Sequence, residues 1–118
     1  MRHVFIALAV ALACLTAQAR AQHYSPVGSI GSPSLGACGV SPSVTGTDAA
    51  GIITIGTGIV TSCVLNFSTT LSATPSCIVI TDSLAVTASI AAVTMSALTM
   101  GLSASLPGGK LHYHCFIK

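Results

Sequence analysis

Apolar and polar positions alternate along most of the chain after Gly46, and turn residues interrupt the alternation about every 8–12 positions. This pattern is typical of β-strands. We predict six strands, at residues 51–55, 59–67, 76–81, 84–92, 97–104 and 110–117. The alanines of the fourth segment could also form a helix, but the β-branched Val86 and Ile90 favour a strand. The sequence therefore predicts an all-β domain at residues 46–118, folded as a small antiparallel β-sandwich or a barrel-like variant of it.

The stretch before this domain has a different composition. Residues 22–45 are rich in Gly, Ser and Pro, which disfavours regular secondary structure. We interpret this stretch as a flexible arm that Cys38 pins to the domain near the arm's end.

The first 21 residues have the organisation of a secretory signal peptide. Arg2 precedes an apolar run at residues 4–15, and small residues then form possible cleavage sites ending at Ala19 and Ala21. The run is shorter than the roughly 20 residues that span a bilayer, so we predict export without a transmembrane segment. Lipidation of Cys14 is an alternative fate for this region. The predicted location is secreted or periplasmic.

Four cysteines follow the predicted signal peptide: Cys38, Cys63, Cys77 and Cys115. An even number of cysteines in a small exported chain indicates a disulfide framework rather than a zinc site, whose ligands are more closely spaced. Four cysteines allow three pairings, and the sequence does not decide among them. We favour Cys77 with Cys115 and Cys38 with Cys63.

Charged residues are scarce after residue 21. The only acids are Asp48 and Asp82, and the only strong bases are Lys110 and Lys118. This balance excludes the basic field that nucleic-acid binding requires. Weak net repulsion favours self-association instead, especially if the uncharged segment 97–104 and the last strand lie at sheet edges.

The best candidate for chemistry is the pair His112 and His114. Residues two apart on a strand share a face, so both imidazoles could bind one metal ion with a third ligand from Asp82, Asp48 or His23. The other interpretation is two surface histidines. We expect Asp48 to be a turn residue whose side chain bonds nearby backbone. No catalytic residue and no cofactor are predicted, because the chain has no nucleophile elbow or phosphate-binding loop.

Several short runs resemble a β-rich module found in tail-fibre-like structural proteins of phages and prophages and in small secreted bacterial proteins. The resemblance covers roughly residues 37–118. Its most specific part is the Gly/Thr-rich run at residues 46–58. The other runs are Cys38-Gly39-Val40-Ser41-Pro42, Thr61-Ser62-Cys63, Pro75-Ser76-Cys77 and His112-Tyr113-His114-Cys115. The resemblance implies an antiparallel β domain used for structure or attachment, and the predicted signal peptide favours a secreted bacterial relative.

Two functions follow as hypotheses. The first is a secreted, disulfide-stabilised structural or attachment module without catalytic activity, which binds other copies of itself, a cell surface or a glycan. The alternative is a small secreted metal-binding protein or enzyme centred on His112 and His114.

Overall fold

The fold is all-β, as the sequence predicts. The computed structural model describes residues 25–26 and 31–117, so the predicted signal peptide at residues 1–21, Cys14, His23 and Lys118 lie outside the described residues. Every regular element in the described part of the chain is a strand. The nine strands are β1 (Ser25–Pro26), β2 (Ser34–Leu35), β3 (Ser43–Gly46), β4 (Ala50–Thr54), β5 (Ser62–Asn66), β6 (Ser76–Thr81), β7 (Ala88–Val93), β8 (Ala97–Leu102) and β9 (Lys110–Ile117).

The strands form two antiparallel sheets that face each other across one hydrophobic core. Sheet A has the order β3–β4–β9–β6, and the short β1 pairs with the end of β9. Sheet B has the order β2–β5–β8–β7. The predicted sandwich is therefore confirmed.

All six predicted strands occur, although their bounds differ in four cases. The bounds of β6 and β9 agree with the prediction. The fourth predicted strand begins at Ala88 instead of residue 84, because Ser83 holds the preceding residues in a turn. Its Oγ accepts hydrogen bonds from the backbone N–H groups of Ala85 and Val86, each at 3.2 Å. A side chain that bonds local backbone in this way competes with strand pairing.

The second half of the predicted arm is part of the sandwich. Residues 34–35 pair with β5 in sheet B, and residues 43–46 pair with β4 in sheet A. This segment thus passes from one sheet to the other and covers one side of the core, as strands at sandwich corners do. Between the two strands, Val40 forms an isolated bridge with Thr57. The domain therefore extends to the N-terminal side of the predicted boundary at Gly46.

Two disulfides fix this arrangement, with the pairing that we favoured. Cys38 is bonded to Cys63, which attaches the crossing segment to β5. Cys77 is bonded to Cys115 across the neighbouring strands β6 and β9, where the two residues are direct partners. Both bridges lie against the core.

Alternation along each strand places apolar side chains between the sheets. The glycine at position 51 is required there, because any Cβ would overlap the ring of Tyr113 on β9, its direct partner. An aromatic side chain thus covers a glycine on the neighbouring strand. The fully buried apolar residues are Ile53, Ile55, Leu65, Leu98, Met100 and Leu111, together with Cys38, Cys63 and Cys115.

The sheet edges differ from those that the sequence suggested. We expected the segment 97–104 and the last strand to be unprotected edges, but β8 lies between β5 and β7, and β9 lies between β4 and β6. The lack of charge in β8 is therefore explained by its interior position in sheet B. Within the described residues, we find no helix with the length and apolar character needed to cross a membrane.

Candidate functional site

The outward side chains of sheet A form the candidate site. On β9, Leu111, Tyr113 and Cys115 point into the core, so the residues that alternate with them point away from it. We call the resulting surface face A. It consists of Ala50, Ile52 and Thr54 on β4, Ser76, Ile78 and Ile80 on β6, and Lys110, His112, His114 and Phe116 on β9.

Strand register arranges face A in rows. His112 lies between Ile52 of β4 and Ile80 of β6, each a direct partner on a neighbouring strand. His114 lies between Ala50 and Ile78 in the next row. The two histidines are therefore flanked by aliphatic side chains on both sides.

These aliphatic side chains are open to solvent. Ile78 is 56% exposed, Ile80 is 60% exposed and Ile52 is 39% exposed. Burying apolar surface contributes about 25 cal/mol per Å², so three exposed isoleucines on one sheet face leave a sizeable binding free energy unused. Single exposed apolar residues are common in proteins, whereas a contiguous group makes face A a candidate interaction surface.

The outer face of sheet B provides a contrast. Most of its central positions are small or polar: Ser62 and Asn66 on β5, Thr99 and Gly101 on β8, and Ser89 on β7, with the half-buried Val64 on β5 as an apolar exception. Serine, threonine and glycine give water many hydrogen-bonding groups and expose little apolar area. The two outer faces of the sandwich are therefore chemically different, and face A is the apolar one.

Among the described residues, the charged side chains of face A lie together at one end of that face. His112 Nε2 is 2.7 Å from Asp82 Oδ1, just past the end of β6. The two atoms lie within ion-pair distance, but the direction of the contact does not satisfy hydrogen-bond geometry. Within the described part of the chain, Nε2 has no hydrogen-bond partner. The N–H of Asp82 donates to the carbonyl of Lys110 at 3.3 Å, which places the acid beside the only strong base among the described residues.

The histidine pair and one of its suggested partners are thus close together, but the described residues contain no group of three metal ligands. Asp48 lies elsewhere, in the turn between β3 and β4, and His23 is outside the described residues. His112 and Asp82 could supply two ligands from adjoining strands.

Asp48 is a turn residue, as expected, but its bonds are long-range. It is completely buried, and its carboxylate accepts hydrogen bonds from the backbone N–H of Ser68 at 2.9 and 3.0 Å and from Ser68 Oγ at 2.7 Å. Ser68 follows β5 in sheet B. The acid therefore ties the β3–β4 turn of sheet A to the opposite sheet.

The side chain of Tyr113 also stabilises the turn between β3 and β4. Its hydroxyl donates to the backbone carbonyl of Thr47 at 2.6 Å. Burial, with a smaller contribution from the carboxylate of Asp48, raises the pKa of Tyr113 to about 12. Both polar side chains therefore serve to hold the turn in place.

A second, smaller feature lies on the side of the sandwich that the Cys38–Cys63 bridge closes. It is an open groove of about 300 Å³, lined by Ala37, Gly39, Ile59, Val60, Thr61 and Ser62. None of these side chains is ionisable, so the groove offers apolar contacts and the hydroxyl groups of Thr61 and Ser62. Ile59 at its rim is 94% exposed and stands apart from face A.

Sequence reasoning identified the two histidines of face A but missed their neighbours. Ile52, Ile78 and Ile80 alternate with core residues, and the alternation alone shows that they point outward. Their grouping around His112 and His114 depends on the register of β4, β9 and β6, which no local pattern contains. In comparisons with protein-family models, curated proteins and solved structures, none matches this chain.

Proposed function

We propose that this protein is an exported, disulfide-stabilised structural module that attaches to a macromolecular surface through face A and performs no catalysis. The observation that carries the proposal is the contrast between the two outer faces. Face A presents three exposed isoleucines in adjoining rows, whereas the outer face of sheet B carries mainly small and polar side chains and the half-buried Val64. A partner that covers face A removes this apolar area from water.

Export is supported by the two intramolecular disulfides. Disulfides persist in oxidising compartments and are rare in the cytosol. Here they close loops with sequence separations of 25 and 38 residues in a chain whose core is small. Such bridges suit a module that must remain folded outside the cell without further support.

The arrangement of ionisable side chains supports a binding role over a catalytic one. The carboxylate of Asp48 is occupied by Ser68, and the phenol of Tyr113 by Thr47. His112, Asp82 and His114 lie on an open sheet face rather than in an enclosed cleft. Ile78 and Ile80 beside them are more than half exposed, so the face lacks the enclosed, low-dielectric surroundings that strengthen catalytic electrostatics.

A retention assay tests the proposal. Labelled oxidised protein is incubated with cells and with the extracellular assemblies of the organism that produces it, and the bound fraction is measured after sedimentation. We expect wild type to be retained and the Ile78→Ser/Ile80→Ser variant to be released.

The matched control is Ile59→Ser/Leu84→Ser, which removes two more exposed apolar side chains from loops outside the strands that carry face A. We expect this control to be retained like wild type. Equal retention of all three proteins, or release of the control alone, would contradict the assignment of face A.

The alternative function is metal binding or catalysis centred on His112 and His114. The 2.7 Å contact between His112 and Asp82 supports it by bringing two potential ligands together, although the described residues supply no third. Metal content of the exported protein, compared between wild type and His112→Ala/His114→Ala, separates the alternatives. A stoichiometric metal that is lost in the variant would establish the metal site. Equal metal content would remove this alternative.

A further inference from the structure

Face A has a pattern that complements itself. Along each of its strands, the row of His112 and the row of His114 are related by a step of two residues. A two-fold axis that lies in the plane of the face and crosses the strands midway between these rows would exchange them. Under this operation each strand of one copy lies over the same strand of the other, running in the opposite direction.

We propose that face A binds the same face of a second copy of this chain through this two-fold axis. The inference rests on the proposed function, because it names the partner that covers face A. Interfaces of this isologous kind are the commonest in soluble homo-oligomers.

The side-chain sizes match across the axis. Ile80 faces Ile78 of the second copy, and Ile78 faces Ile80 in return. On β4, Ile52 faces Ala50 of the second copy, so a large side chain meets a small one in both directions. The sheets of a sandwich pack about 10 Å apart, which leaves room for one interdigitated layer of this kind.

The charges also favour this axis. It places Lys110 over Phe116 of the second copy, which allows a cation–π contact, and Asp82 over the Ser76 end of the opposite β6. An axis parallel to β9 would instead place Lys110 directly over Lys110 of the second copy. The crossing axis avoids this contact between lysines and places His112 over His114 of the second copy.

The available area indicates a weak dimer. Face A spans β4, β9 and β6, which average about six residues, so it measures about 20 Å along the strands and about 14 Å across them. The flat footprint of both copies together is then about 600 Å² before side-chain relief is added, which is below the roughly 1,000 Å² of a stable interface and fits a weak, transient contact. We expect reversible association at micromolar or higher concentrations.

The first test is sedimentation velocity of the oxidised protein from micromolar to submillimolar concentration. We expect wild type and Ile59→Ser/Leu84→Ser to shift from monomer to dimer over the same range. Ile78→Ser/Ile80→Ser removes four isoleucines from the interface, so its dissociation constant should rise by at least about a hundredfold. Circular dichroism checks that the variants keep the fold, which is expected because the substituted side chains are exposed.

The second test determines the axis. In a sample that mixes isotope-labelled and unlabelled chains, filtered nuclear Overhauser spectra detect contacts between copies alone. We expect contacts from Ile52 methyls to Ala50 and from Ile80 to Ile78. Contacts from Ile80 to Ile52 of the other copy would indicate the axis parallel to the strands and overturn the proposed arrangement.

A monomer at every concentration, or a dimer that Ile78→Ser/Ile80→Ser leaves intact, would also overturn the inference. These outcomes are distinguishable from failure of the proposed function. A wild-type monomer that is still retained on cells through Ile78 and Ile80 contradicts only the second copy as partner. A wild-type protein that neither dimerises nor is retained contradicts both.

Discussion

Replacing Asp48 by alanine tests how the two sheets are held together at one end of the sandwich. The carboxylate is completely buried and accepts two donors of Ser68, the backbone N–H and Oγ. Asp48→Ala removes both hydrogen bonds and leaves a small cavity behind the turn between β3 and β4. The nearest matched control is Asp82→Ala, which removes the same charge from an exposed side chain.

The size of the effect follows from the two bonds. A hydrogen bond to a charged group contributes about 1.5–3 kcal/mol. Ser68 is itself exposed, so water can satisfy its donors after the substitution, and the lower end of that range applies. We therefore expect Asp48→Ala to lower the free energy of unfolding by about 3 kcal/mol. For Asp82→Ala the expected loss is less than about 1 kcal/mol, as for surface ion pairs generally.

Urea unfolding of the oxidised proteins measures both values. Asp48→Asn is a useful third variant, because the amide oxygen still accepts one hydrogen bond, and its stability should lie between those of wild type and Asp48→Ala. If Asp48→Ala and Asp82→Ala lose the same free energy, the carboxylate does not connect the sheets in the way that the structure indicates.

Three further predictions concern the same fold. Replacing either disulfide pair by serines, Cys77/Cys115 or Cys38/Cys63, should lower the free energy of unfolding by about 3–4 kcal/mol from loop entropy, measured in urea; losses below about 1 kcal/mol would contradict this estimate. The pKa of Tyr113 is raised from 10.0 to about 12, so the contribution of this phenol to folding stability should be fully present below pH 10 and should be lost as the pH rises to about 12. Absorbance titration in a Tyr24→Phe background isolates this phenol, and a midpoint near 10 in the folded protein would refute its burial. Gly56→Ala should destabilise strongly because its Cβ would overlap the backbone of Val40, whereas Gly101→Ala meets only Ser89 Oγ; equal thermal midpoints would contradict this difference.

Much of the fold follows from local patterns in the sequence. The bounds of β9 were predicted correctly because Leu111, Tyr113 and Cys115 alternate with polar residues and the segment follows a Pro-Gly-Gly turn. The strands β2 and β3 were missed, since Gly, Ser and Pro dominate their surroundings and each strand is at most four residues long. They form strands because they pair with β5 and β4, and these contacts between separate segments cannot be predicted from local sequence patterns.

The candidate site also combines features that local sequence patterns predict with features that depend on strand pairing. A period of two places His112 and His114 on one face, so their common orientation could be predicted from the sequence. Ile52 and Ile80 are 60 and 32 residues away from His112 along the chain, and only strand register brings them beside it. Asp48 was correctly expected in a turn, but nothing near it in the sequence indicates its bond to Ser68.

Hydroxyl-radical footprinting of the protein in its native setting, in a culture of the cells that produce it, tests the central claim, that face A is the binding surface, most directly. Oxidation of isoleucine and leucine side chains is measured by mass spectrometry and compared with that of dilute purified protein. We expect Ile78 and Ile80 to be protected in the native setting, while Ile59 and Leu84 react as they do in the purified protein. Unchanged reactivity of Ile78 and Ile80, or protection confined to Ile59 and Leu84, would contradict the account.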